Sequence, residues 1–292
     1  MKKLLLTIAV AALSFLALAA EEKTKVYEFG DITRIEASFL YDVHITEGTS
    51  GNVKVVYESD YEKHLRVKYR ESESKLLLEL NDIPTKYKRG DQPHINVFIE
   101  MDHIDAITLM GASRAFFDGE FTSGNLRIDM SGATGLSGLE VKGDNLNMYC
   151  SGAAKTGITG NFERSVNIEM SGAVKGRLNI NTPGLSGELS GACSLAYEGN
   201  ADDCEFECSG ACKLELTGKG KQLDLEGSGA CRLNTRYFTA DEVVLELSGA
   251  SRADVYAGKV LRYDVSRTCK LTYFGDPKLV NLSNDDNVVK GY

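Results

Sequence analysis

The chain has 292 residues, with 33 basic against 42 acidic residues and a net charge of −9. An acidic chain without a basic block repels phosphate backbones, which argues against nucleic acid as a partner. Gly is abundant at 29 and Pro scarce at 4, the balance of a repetitive β structure with many glycine turns rather than of a flexible linker.

Lys2 and Lys3 precede an apolar run from Leu4 to Leu18, and Ala17-Leu18-Ala19 suits signal peptidase. Residues 1–20 therefore read as a secretory signal peptide. No later stretch reaches the roughly 20 apolar residues of a membrane span. The mature chain is expected to be exported, to the periplasm, the cell surface or the medium, with a net charge of −11 once Lys2 and Lys3 are gone.

Residues 21–108 keep an alternating apolar period: Val43-Ile45, Val53-Val55, Leu65-Val67, Leu76-Leu78-Leu80, Ile95-Val97-Ile99 and Ile107-Leu109. Alternation of this length predicts strands with one buried side. No Pro/Ser-rich linker follows, so these strands are expected to form irregular first coils that seal one end of a longer solenoid. The loop "NDIPTKYKRGDQPH" (81–94) interrupts them, and its Lys86, Tyr87, Lys88 and Arg89 are the candidate contact residues. All four histidines, His44, His64, His94 and His103, lie in this third, none at a paired metal-ligand spacing.

From residue 109 to 280 the chain repeats. Ser-Gly-Ala begins at Ser131, Ser151, Ser171, Ser190, Ser209, Ser228 and Ser248, at steps of 19 or 20 residues. A fixed period of this size marks a solenoid. Short alternating runs flank each triplet, and no window holds helical spacing over ten residues. The prediction is an all-β, single-stranded parallel β-helix with coils of about 18–21 residues, right-handed by the usual crossover rule. Gly132, Gly152, Gly172, Gly191, Gly210, Gly229 and Gly249 are then corner residues with positive φ. The adjoining Ala is expected to face a tight interior, and the serines to bond to backbone or to each other in a hydroxyl ladder. Seven repeated serines without a neighbouring His describe architecture rather than nucleophiles.

Cys193, Cys212, Cys231 and Cys269 share one repeat position with Thr134, Ala154, Val174 and Ser251, all small. Cys150 and Cys208 share another with Met130, Met170, Leu189 and Leu247. That company favours buried thiols. Export would permit disulfides among stacked cysteines, although the count is odd. The spacing C-x3-C-x3-C from Cys204 is no recognised zinc pattern. The position after the first cysteine column is often basic: Lys155, Lys175, Lys213, Arg232, Arg252 and Lys270. The favoured reading is a solvated row paired to acidic neighbours; a grip on an anionic glycan is the alternative.

"FGDITRIEASFLYDVHITEGTSGNVKVVYESD" (29–60), the serial Ser-Gly-Ala coils and "YFGDPKL" (273–279) resemble the auto-transporter adhesin head domain, or GIN domain, of bacteria. The resemblance spans roughly residues 28–280. It implies an exported right-handed β-helix, common in Bacteroidetes, and supplies no catalytic residues. Ser266-Arg267-Thr268 departs from the Gly-bearing corner, as does Ser283-Asn284-Asp285, so a looser C-terminal cap (281–292) is expected. No translocator barrel is expected within this sequence.

The expected function is non-enzymatic, adhesin-like binding of a glycan, a surface or a protein, without cofactor or metal. A polysaccharide lyase or hydrolase is the alternative, because many such enzymes are β-helices. Short coils leave no cleft walls, however, and the adjacent pairs Asp202-Asp203 and Asp285-Asp286 cannot oppose each other across a substrate. A periplasmic partner of a signalling or stress system is the third reading.

Overall fold

The structure is a computed structural model describing residues 21–49, 51–82, 95–283 and 288–291. Among these, twenty strands join in one sheet that winds into a β-solenoid of about 9 turns, with no α-helix. The contact loop Lys86, Tyr87, Lys88 and Arg89 lies outside the described residues, as do the leader, His94 and the pair Asp285-Asp286.

The regular part is a stack of long strands. These are β10 (Glu120–Gly132), β11 (Gly135–Cys150), β12 (Lys155–Gly172), β13 (Lys175–Gly191), β14 (Ser194–Gly210), β15 (Lys213–Gly229), β16 (Arg232–Leu247) and β17 (Arg252–Val265), each paired in parallel with the next. Two short strands per coil were the expectation. In fact the ladder continues around the bend between them, leaving one strand per coil interrupted only at the Ser-Gly-Ala corner.

Inward residues alternate with outward ones, so Leu146, Met148 and Cys150 stack with Val166, Ile168 and Met170 in one continuous core. Each fully buried aliphatic side chain of this kind contributes about 1.5–3 kcal/mol. Some inward positions are empty by design. A β-carbon at Gly187 would sit 2.3 Å from the ring of Phe206 on the next coil, so the glycine makes room for the phenyl group.

The N-terminal end is less regular than a simple run of first coils. Its strands are β1 (Glu22–Glu28), β2 (Arg34–Phe39), β3 (Tyr41–Glu47), β4 (Asn52–Glu58), β5 (Leu65–Arg70), β6 (Lys75–Leu80), β7 (Ile95–Met101), β8 (Ala106–Gly111) and β9 (Arg114–Asp118). The rung β2–β3 lies between two others: β2 pairs with β6 and β8, and β3 with β7 and β9. Rung β6–β7 is therefore outermost, although it follows β2–β3 in the chain. Antiparallel β5 and β4 cover it, and β1 adds to β4. Antiparallel strands let the chain close the open end of the stack without another crossover. β18 (Lys270–Phe274), β19 (Lys278–Asn281) and β20 (Val288–Lys290) continue the ladder at the other end.

Candidate functional site

The corner comes first because it sets the register of everything outside. Its glycines have φ between +76 and +92 from Gly132 to Gly249, and Gly111 joins the column at +74. A β-carbon on Gly152 or Gly172 would lie 2.8 or 2.7 Å from the carbonyl oxygen of the glycine below. That carbonyl accepts the next alanine's N–H: Ala173 donates to Gly152 and Ala192 to Gly172, both at 2.7 Å.

One expectation about the triplet needs correction, and the other is met only toward the backbone. The alanines are exposed, with Ala153, Ala173 and Ala192 on the outside of the bend. The serines form no hydroxyl ladder among the described residues; Ser151 reaches only the Met130 carbonyl, at 3.4 Å. The side-chain ladders are amides instead. Asn145 donates to Asn125 at 2.7 Å, Asn167 to Asn147 at 3.0 Å, and Asn181 to Asn161 at 3.0 Å.

The seven cysteines are buried and free. Cys193, Cys212 and Cys231 each donate S–H to the carbonyl of the corner serine three residues back, at 3.1 Å. Ser113 does the same toward Met110 at 2.9 Å. Burial pushes the Cys150 and Cys204 thiols up to about 12, and raises Cys208 and Cys212 as well. Such thiols are protonated and unreactive at neutral pH.

The histidines are dispersed. His44 stacks between Phe98 and Phe116 at 4.9 and 5.1 Å, His64 is buried with Nδ1 on the Asn81 carbonyl, and His103 bonds Asp105 at 3.2 Å. Among the described residues no three His, Cys, Asp or Glu side chains converge on a metal-sized site. Asp202 is paired with Lys221 at 2.7 Å.

The outer faces carry the residues of interest. Two positions before the serine, Glu169, Glu188, Glu207, Glu226, Glu246 and Asp264 stand in register on six consecutive coils. Glu169, Glu188, Glu207 and Glu226 line a groove of about 550 Å³ beside the corner serines. Repeat-position reasoning found the basic column but missed this acidic one, although its spacing was visible. Four positions after the serine, Lys155, Lys175, Ser194, Lys213, Arg232, Arg252 and Lys270 form the basic column. The expectation that these cations are paired fails. Only Lys213 has a side-chain partner, Glu215 at 2.9 Å, and the side chains of the other five make no ion pair or hydrogen bond among the described residues.

Beside the basic column the next outward position is half-buried at Gly157, Ala196, Glu215 and Asn234, with Arg177 exposed between the first two. Beyond it rises a second exposed row of Thr159, Asn179, Thr217 and Tyr237. The result is a trough of about 1060 Å³ running along the solenoid axis.

An uninterrupted rod whose chemistry lies in lengthwise ladders on its sides, rather than in a cleft, is the class of protein that this geometry defines. The family described as "Putative auto-transporter adhesin, head GIN domain" matches residues 31–177 and 164–277, and the chain belongs to it. Among solved structures, the "putative adhesin" of Parabacteroides merdae aligns over 92% of this chain and 93% of its own, at 11% identity and a TM-score of 0.51, a likeness of fold. The "putative adhesin" of Parabacteroides distasonis aligns over 93% and 97% at 14% identity and 0.44. A "Putative lipid binding protein" of the same species aligns over 92% and 94% at 11% and 0.42. No curated protein matches the chain. Among the described residues no helix is long and apolar enough to cross a membrane.

Proposed function

We propose that this is an exported, non-enzymatic binding protein that engages a glycan, a surface or another protein along the sides of its solenoid. One observation carries the reading: from β10 to β17 the outward residues form continuous columns, and no insertion rises beside them to wall a catalytic cleft. Glycoside cleavage needs two carboxyl groups on opposite sides of the scissile bond. The carboxylates of the acidic column stand on one face, each next to its like. Membership of the adhesin head family supports the same reading and supports export.

The test uses the exported form of the chain on beads. Adherence to mucin, matrix proteins and a glycan array is measured, and neutral and acidic polysaccharides are assayed for new chain ends. Adherence without cleavage is expected. Turnover that disappears when one acidic residue is changed to its amide would overturn the proposal.

A further inference from the structure

We infer that the basic column and the trough beside it bind an acidic polysaccharide laid lengthwise along the solenoid, a reading that rests on the binding function proposed above. Lys155, Lys175, Lys213, Arg232, Arg252 and Lys270 occupy six of seven consecutive rungs, all exposed. With rungs about 4.8 Å apart they span about 29 Å. Five of the six side chains have no protein partner among the described residues, on a chain with an excess of nearby acid. Stacking like charges costs energy that an intramolecular carboxylate would have removed. A row left unpaired is free to receive external anions.

Pitch decides among polyanions. The column offers one cation per rung, so it fits a linear polymer with one carboxylate or sulfate per sugar, a unit about one rung long. Duplex DNA places a charge about every 1.7 Å of axis and matches it poorly. The trough adds what a sugar chain needs besides charge. Thr159, Asn179 and Thr217 offer hydrogen-bonding groups on its far rim, and Tyr237, 64% exposed, offers a ring at one end. Glu140, Glu198 and Glu215 are the carboxylates within this strip, and Glu215 is held by Lys213. Around the corner, the acidic column repels the same polymer and confines it to the basic face.

The experiment measures binding of the full chain to immobilised polygalacturonate, chondroitin sulfate, dextran and single-stranded DNA at low and moderate salt. Salt-sensitive binding to polygalacturonate or chondroitin sulfate is expected, and the stronger of the two identifies the anion. Lys155→Gln/Lys175→Gln/Arg232→Gln should weaken it at least tenfold with an unchanged circular dichroism spectrum. The version with arginine at Lys155 and Lys175 should retain it. Equal weakening by the off-column set Lys219→Gln/Lys221→Gln/Lys259→Gln would overturn the inference, as would DNA binding of equal strength. Binding to a neutral glycan or a protein alone would sink the basic column and leave the adhesin-type reading standing. Cleavage of the polymer would sink that reading itself.

Discussion

Phe39 stands in register with Gly111 at the start of the corner column, and both have left-handed backbone, with φ of +76 and +74. Every later occupant from Gly132 to Gly249 is glycine. A β-carbon in this region costs about 1–2 kcal/mol. The ring, 45% exposed, recovers little of that through burial. Phe39→Gly should therefore be more stable than Phe39→Ala by about 1 kcal/mol, because both remove the ring and only one removes the strain. Paired urea titrations check this; equal stability would show that the corner tolerates a β-carbon.

Along the column itself the constraint is steric as well as conformational. Gly191 has φ +85, and its β-carbon would lie 2.7 Å from the Gly172 carbonyl oxygen. Gly218, at the bend in mid-strand, has φ +139 and would place it 1.7 Å from the Gly199 carbonyl. Gly191→Ala should cost about 2–4 kcal/mol, strain and a backbone shift together. Gly218→Ala should cost more, since the whole neighbouring coil must move. Equilibrium unfolding of both variants tests the order, and a milder Gly218→Ala would refute it.

Much of this architecture was legible because stacking turns a spatial column into a sequence period. Ser131, Ser151 and Ser171 declare the corner, and the alternation before each serine declares the inward face. The N-terminal strands were equally visible at Val43-Ile45 and Leu76-Leu78. Their order was not, because a period records what repeats and β2–β3 is inserted between two rungs that both come after it in the chain. β1 (EKTKVYE) escaped notice because an edge strand with no buried side chain carries no apolar alternation. Gly187 is a space for Phe206 in the structure, a relation between coils that no single repeat contains. For the candidate site, the basic column was found, but its lack of partners depends on side-chain geometry. The acidic column was equally legible, since Glu169, Glu188, Glu207 and Glu226 recur at steps of 19 residues.

The buried thiols give a prediction with a direction in pH. Cys150 and Cys204 have folded pKa values of about 12 against an ordinary value of 9.0, raised chiefly by burial. The neutral thiol is thus favoured in the folded chain. The stabilisation is complete below pH 9 and is lost as pH rises through 12, since the unfolded chain ionises first. Three pH units correspond to about 4 kcal/mol per thiol at the upper end. Stability should fall steeply above pH 9, and less steeply in Cys150→Ala/Cys204→Ala, compared as change from each protein's own value at pH 8. At pH 8 an alkylating reagent should modify the folded protein slowly and all seven thiols in denaturant. Rapid native modification would contradict their burial.

The two charged columns imply that the outer faces are not arranged for maximum stability. Glu188 stands between Glu169 and Glu207, and Arg252 between Arg232 and Lys270, each about one rung from a like charge. Like charges directly opposite on neighbouring strands destabilise by roughly 0.2–1 kcal/mol per pair. Glu188→Gln and Arg252→Gln should each raise stability by a few tenths of a kcal/mol at low ionic strength. The gain should shrink in 1 M salt, where the screening length falls to about 3 Å, below the rung spacing. Thermal unfolding at the two salt concentrations measures it. A loss of stability in either variant would mean that the charges are engaged within the fold. A gain would mean that repulsion is retained on both faces at the expense of stability, as expected where a surface serves an external partner.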